Sequence, residues 1–110
     1  MPISNPSATI SFPDPQIHTI APPATEVDVT DDATMVVPAS NDRKGLTIVN
    51  SHFTSVYFDV QSTVSNSIWM FVLAPGAFYE MPQPVFTNAI YATTSNGGDG
   101  KLHIREITVL

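Results

Sequence analysis

The stretch SVYFDVQ at residues 55–61 alternates apolar and polar side chains along its whole length. Val56, Phe58 and Val60 fall on one phase, and more polar side chains fall on the other. Because successive side chains of a β-strand point to opposite faces of the sheet, this alternation predicts a strand with one buried and one wet face. The stretch therefore indicates an antiparallel sheet that packs by one side onto a core.

Further segments with strand character surround this stretch from residue 45 onward. They are residues 46–50, 68–73, 77–81, 89–93 and 101–109. The segments between them are rich in Pro, Gly, Asn and Ser, which favour turns. No segment repeats apolar residues with a helical period over ten or more positions. Strands at this spacing predict an all-β fold, either a small antiparallel β-sandwich or a jelly-roll-like barrel.

Two strands carry a more specific expectation. Residues 68–73 are apolar on both phases, which predicts a strand that is central in its sheet or covered by a partner. In the last strand Leu102 and Ile104 occupy one phase, whereas Ile107 and Val109 occupy the other. A β-bulge near residues 105–106 would bring both pairs onto one face.

The N-terminal third of the chain differs from the rest. Residues 1–38 hold seven of the ten prolines, and residues 1–40 hold five acidic residues and no Lys or Arg. We therefore divide the chain into an extended, proline-rich acidic arm at 1–38 and a β-sandwich domain at 39–110. Residues 26–30 and 34–37 are candidate edge strands within the arm. The candidate arm contacts to a neighbouring subunit are its larger apolar residues: Phe12, Ile17, Ile20, Val27 and Val29.

Charge and composition exclude several functions. The net charge of −6 and the lack of a basic stripe argue against direct binding to nucleic acid, which depends on clustered Lys and Arg. No apolar run is long enough for a membrane span, and the first residues lack the features of a signal peptide, so we expect synthesis in a cytosol and no membrane partner. Without cysteine the fold has no disulfide.

Catalytic and metal-binding patterns are also weak. The three histidines, His18, His52 and His103, have no metal-ligand spacing. No nucleophile, base and orienting group can be named together, so we expect a protein that is not an enzyme and has no metal or cofactor. Asp99 in the loop at 95–100 is a possible Ca²⁺ ligand, but turn formation is the simpler explanation.

Two aromatic residues are candidates for an interface or for ligand contact. Trp69 and Tyr79 fall on the opposite phase from some of their apolar neighbours, so the core does not account for them. Aromatic faces stack on sugar rings and fill protein interfaces. In addition, a core of about 70 residues without disulfide or metal supplies only roughly 3–5 kcal/mol, so we expect self-association.

Residues 41–50 (NDRKGLTIVN), 73–82 (LAPGAFYEMP), 89–92 (AIYA) and 100–106 (GKLHIRE) together resemble small β-sandwich proteins of tailed bacteriophages. In that group an N-x-R-x-G-L-x-I-x-N strand, an L-x-P-G-x-x-Y-E-x-P corner and an I-Y-A strand recur in this order. Within the first motif Arg43 is a candidate interface residue, or a rim partner of Glu80 or Glu106. Asn50 is expected to end its strand by bonding local backbone.

The resemblance implies a structural protein of the phage particle, made in the host cytoplasm and located in the virion. The favoured interpretation is a capsid decoration or cement protein. It would form a homo-oligomer, with a trimer favoured, and bind the major capsid protein or another virion protein through its arm. The alternative is a tail, neck or fibre component whose sandwich binds a glycan or another receptor.

Overall fold

The computed structural model describes residues 19–95 and 97–109, and these residues form strands and turns without any helix. The strands are β1 (Thr19–Ile20), β2 (Thr25–Val29), β3 (Thr34–Val37), β4 (Arg43–Asn50), β5 (Val56–Asp59), β6 (Phe71–Leu73), β7 (Phe78–Glu80), β8 (Ile90–Thr93) and β9 (Gly100–Val109).

These strands form two antiparallel sheets packed face to face, which confirms the predicted β-sandwich. In the five-stranded sheet β9 pairs with β1 and β2 along one side and with β4 along the other, and β7 follows β4 at the edge. The four-stranded sheet has the order β3-β8-β5-β6. The glycine-rich loop at 95–100 joins β8 of one sheet to β9 of the other, so it is not a hairpin turn.

The core lies between the sheets and is built by the alternation seen in the sequence. Along β4 the buried and half-buried residues alternate, and β5 continues the pattern with Val56 and Phe58 fully buried. Facing them are Ile90 from β8 and Leu102 from β9, each almost completely shielded from solvent. Burying side chains of this size contributes about 1.5–3 kcal/mol each, so these strands dominate the stability of the fold.

Residues 25–37, which the proline count assigned to the arm, belong to the sandwich. Strand β2 pairs with β9 and β3 pairs with β8. The prolines on either side of this region, Pro22, Pro23 and Pro38, lie between strands, where their missing N–H breaks no ladder. The sandwich therefore begins well before residue 39, and the two candidate edge strands are confirmed.

The five candidate arm contacts differ in how far the sandwich buries them. Val29 is 1% exposed and lies in the core of its own chain, so it is not available to a neighbour. Val27 is half-buried against the same core. Ile20 in β1 is exposed. Phe12 and Ile17 lie outside the described residues.

Two predictions about strand detail were wrong. Strand β9 runs without interruption, and the register shift lies in β4 between Arg43 and Gly45, opposite the end of β9. The pleat therefore places Ile107 on the face opposite Leu102. Residues 68–70 precede the strand β6 rather than forming part of it. Because β6 is an edge strand, the central position is excluded, and cover by a partner stays a prediction.

Candidate functional site

The sandwich has two lateral sides, and acidic residues protect one of them. On that side Glu26 and Asp28 of β2 flank Lys101, whose ammonium lies 3.4 Å from Glu26 and 3.2 Å from Asp28. The hydrogen bond and charge of Asp28, followed by those of Glu26, raise the pKa of Lys101 above its ordinary value. Charged side chains along an edge strand discourage pairing with another chain.

The opposite side, formed by the edge strands β6 and β7, is apolar instead. Ile68, Trp69, Met70 and Val72 are exposed by 56%, 45%, 51% and 38%. We call these four residues the apolar edge. Strand β6 pairs only with β5, and β7 pairs only with β4, among the described strands. An edge strand with free backbone groups and exposed apolar side chains is a surface suited to pairing with another protein segment.

A ladder of three aromatic rings closes the space between β6 and β7. The ring of Phe58 stacks on Phe71 with centroids 4.7 Å apart, and Phe71 stacks on Tyr79 at 4.2 Å. Burial raises the pKa of the Tyr79 phenol above its ordinary value of 10.0. Tyr79 is therefore the outermost member of a packed ladder, with one side of its ring used by Phe71.

Beside this ladder runs an apolar groove of about 260 Å³. Its walls are formed mainly by Met70, Tyr79, Met81, Pro82, Pro84 and Phe86. These residues offer almost only carbon and sulfur atoms, and methionine adapts its shape to different apolar side chains. The groove is therefore suited to apolar side chains of a bound peptide rather than to a polar metabolite.

Trp69 lies on the outer face of the four-stranded sheet, near Tyr57. The two ring centroids are 6.1 Å apart, and the planes are tilted by 45°. Tyr57 lies between the buried Val56 and Phe58, so its ring faces outward from the sandwich. Of the three sequence candidates, Trp69 is the one that the fold leaves open to a partner.

Arg43 is not an interface residue, because it is the most voluminous of the fully buried side chains. Its Nε donates to Glu106 at 2.7 Å, so one of its two expected partners is confirmed. Its terminal nitrogens donate to the carbonyl oxygens of Pro38, Phe86 and Asn88. The guanidinium thus ties three separate segments to the start of β4, a structural role.

A second, polar depression lies near the glycine-rich loop and includes Asp28, His52, Asp99 and Lys101. The Lys101 ammonium already neutralises Asp28 there. Within residues 19–95 and 97–109 no three His, Asp or Glu side chains cluster in a way that could hold a metal ion.

Sequence reasoning found Trp69 and Tyr79 but missed the other walls of the groove. Met81 was expected only as the last residue of the strand segment 77–81, and Phe86, which follows the turn at 82–84, was given no role at a site. The available signal was the presence of large apolar residues inside a proline-rich connection, where solvent-exposed turns usually carry polar ones.

Comparison of the chain with protein-family models, curated proteins and solved structures finds no match. The resemblance to phage proteins therefore stays a prediction from the quoted motifs. In the described part of the chain no helix has the length and apolarity that a membrane span requires.

Proposed function

We propose that this chain is a structural protein of a bacteriophage virion, and specifically a capsid decoration or cement protein that stabilises the head by binding capsomers. The motifs at 41–50 and 73–82 support the phage assignment by resemblance. The sandwich supports a role in binding, because its open side presents an apolar edge and groove.

The observation that carries the proposal is the apolar edge. Three consecutive large apolar residues, at 68–70, are each about half exposed just before an edge strand that pairs on one side with β5. Soluble proteins rarely leave such a run uncovered unless it is an interaction site. Trp is also among the residues that contribute most to protein interfaces. The partner we propose for this edge is the major capsid protein or another virion protein.

Charge and size agree with this role. The chain carries a net charge of −6, which favours a protein partner over nucleic acid. A decoration protein contacts several subunits at once, and multiple weak contacts give high total avidity. Self-association into a homo-oligomer, for which we favour a trimer, would supply that multivalency. In this proposal the residues before β1 supply a contact to a neighbouring subunit.

The copy number of the protein in purified virions tests the proposal. Quantitative mass spectrometry is expected to find it in a simple ratio to the major capsid subunit. A handful of copies per particle, or none, would contradict a decoration role.

In a binding assay with particles stripped of the protein, Trp69→Ser is expected to weaken binding. Phe53→Ser is the matched control, since Phe53 is an exposed aromatic residue that is not one of the four residues of the apolar edge.

A second candidate function rests on the Trp69–Tyr57 pair. The exposed ring of Trp69, tilted against the half-buried ring of Tyr57, is a suitable platform for a sugar ring. In that case the chain would be a tail, neck or fibre component that binds a cell-surface glycan. A glycan array would show binding that Trp69→Ala abolishes and Phe53→Ala retains. Binding to stripped heads without any glycan signal would eliminate this alternative.

A further inference from the structure

The groove between the sheets lacks an occupant within the described chain, and the residues before β1 contain a segment that fits it. Residues 8–12 read ATISF, with Ala8, Ile10 and Phe12 on one phase and polar residues on the other. Pro6 and Pro13 flank the segment. This pattern predicts a short strand with one apolar face.

The position of β1 shows which end of the sandwich the segment is joined to. Thr19 pairs with Val109 in antiparallel register, so β1 begins at the end of the sandwich where β9 finishes. The groove lies at the same end of the molecule. Arg43 links the two places: it lies opposite Thr108 near the end of β9, and it donates a hydrogen bond to the carbonyl oxygen of Phe86, which lines the groove.

The prolines next to the segment favour a neighbour over its own groove. A residue that precedes proline is restricted to extended conformations, which applies to Phe12 and Asp14 before Pro13 and Pro15. An extended connection of this kind would favour a groove on a neighbouring copy. A return to the β6–β7 side of the same chain would require a reversal in the few residues between Pro15 and Thr19.

We propose that residues 8–12 of one copy bind the β6–β7 side of a second copy, as a strand along the open edge of β7 with Ile10 and Phe12 in the groove. The open backbone of β7 supplies hydrogen bonds, and the groove supplies the apolar contact. An apolar cavity of about 150 Å³ is enough to hold benzene, so the groove has room for the phenyl ring of Phe12.

This exchange identifies the neighbouring subunit in the proposed function as another copy of this chain. The inference itself does not require a virion, because it follows from the groove, the segment and the exit point of the chain. Its failure can be distinguished from that of the proposed function. A protein that is monomeric in solution contradicts the exchange, whereas a low copy number in virions contradicts the decoration role.

Sedimentation equilibrium of the full chain is the first test. Ile10→Asp with Phe12→Asp is expected to raise the dissociation constant of the oligomer at least about tenfold, which corresponds to ~1.4 kcal/mol. The control is Thr9→Asp with Ser11→Asp, which adds the same charge on the outward phase. It is expected to change the constant by no more than about twofold. Equal effects of both double variants, or a wild-type chain that is monomeric throughout, would overturn the proposal.

Cysteine cross-linking is the second test, and the natural lack of cysteine makes it unambiguous. Ser11→Cys lies in the segment, and Gln83→Cys lies on the groove rim between Pro82 and Pro84. A mixture of the two single variants, oxidised under native conditions, is expected to form a covalent heterodimer. If the chain with both substitutions forms only an internal cross-link, the segment occupies its own groove and the exchange is wrong.

Discussion

Arg43 shows how a single buried charge organises one end of the sandwich. Its planar guanidinium donates in several directions at once, and here it reaches a carboxylate and three main-chain carbonyls. Lysine has no comparable fork of donors. The carbonyls belong to segments before β4 and before β8, so the side chain connects parts of the chain that are distant in sequence.

Replacing Arg43 is therefore expected to destabilise the fold strongly. Arg43→Met removes one partner of a buried pair and leaves carbonyl groups without a donor, which costs about 3–5 kcal/mol. Urea unfolding would measure this loss. Arg105→Met is the control, because Arg105 is exposed on the same sheet, and its effect is expected to stay within about 0.5 kcal/mol. A small effect of Arg43→Met would contradict the structural role.

Tyr79 provides a pH-dependent prediction at the same scale. Its pKa is raised by burial above the ordinary value of 10.0, so the folded chain retains a proton that the unfolded chain releases. The contribution to stability is fully present below about pH 10 and is lost as the pH rises further. Tyr79→Phe keeps the stack on Phe71 but removes the ionisable group.

Unfolding midpoints in urea at about pH 8 and about pH 11 would measure the effect. The wild-type midpoint is expected to fall more between the two values than that of Tyr79→Phe. Comparing the two proteins subtracts the titration of other groups, such as Lys101. Equal changes in both proteins would show that Tyr79 ionises as freely in the fold as outside it.

Single residues were also where sequence reasoning was least reliable. Glu106 was one of the two partners expected for Arg43, since opposite charges in neighbouring strand segments attract. Its complete burial was not foreseen, because it depends on the loop at 86–88 folding over the side chain. The role of Asn50 was easier to predict, since its side chain bonds main-chain groups close in sequence, at Thr54 and His52.

At the scale of elements, the strands followed from the alternation of side chains and the turns from Pro and Gly. The strand at 55–61 was found as β5, and the last strand as β9. The environment of the segment 68–73 was harder to predict, because an apolar run on both phases indicates burial on two faces. Here Leu73 is buried and Phe71 is half-buried, whereas the other four residues are exposed at an edge. Apolar pattern alone does not separate a core strand from an interface.

The apolar edge is expected to bind a hydrophobic dye. Substituting Ile68→Ser together with Trp69→Ser is predicted to reduce the fluorescence of bound anilinonaphthalene sulfonate several-fold, with little change in stability, because both side chains are already half exposed. Phe53→Ser removes a more exposed aromatic ring that is not part of the apolar edge, so it is expected to have less effect. Equal losses would show that the four residues do not act as one surface.

At the scale of the whole molecule, the boundary between arm and sandwich lies earlier in the chain than the proline count predicted. Counting prolines placed it after residue 38, whereas strand pairing places residues 25–37 inside both sheets. Proline marks interruptions of strands, and these interruptions fall between β1 and β2 and after β3. A proline-rich composition is thus compatible with short paired strands, which composition alone does not reveal. The candidate partner segment is correspondingly shorter, at residues 1–18.

Two truncations are expected to differ sharply for this reason. Removing residues 1–18 leaves every strand described here intact, so circular dichroism and urea unfolding are expected to show a folded sandwich. Removing residues 1–38 also deletes Val29, Val36 and Val37, all buried in the core. Their burial contributes together about 5–9 kcal/mol, comparable with the whole stability of about 5–15 kcal/mol that small domains have. The longer truncation is therefore expected to be unfolded. A cooperative unfolding transition in that variant would show instead that β4 to β9 form a stable core without β2 and β3.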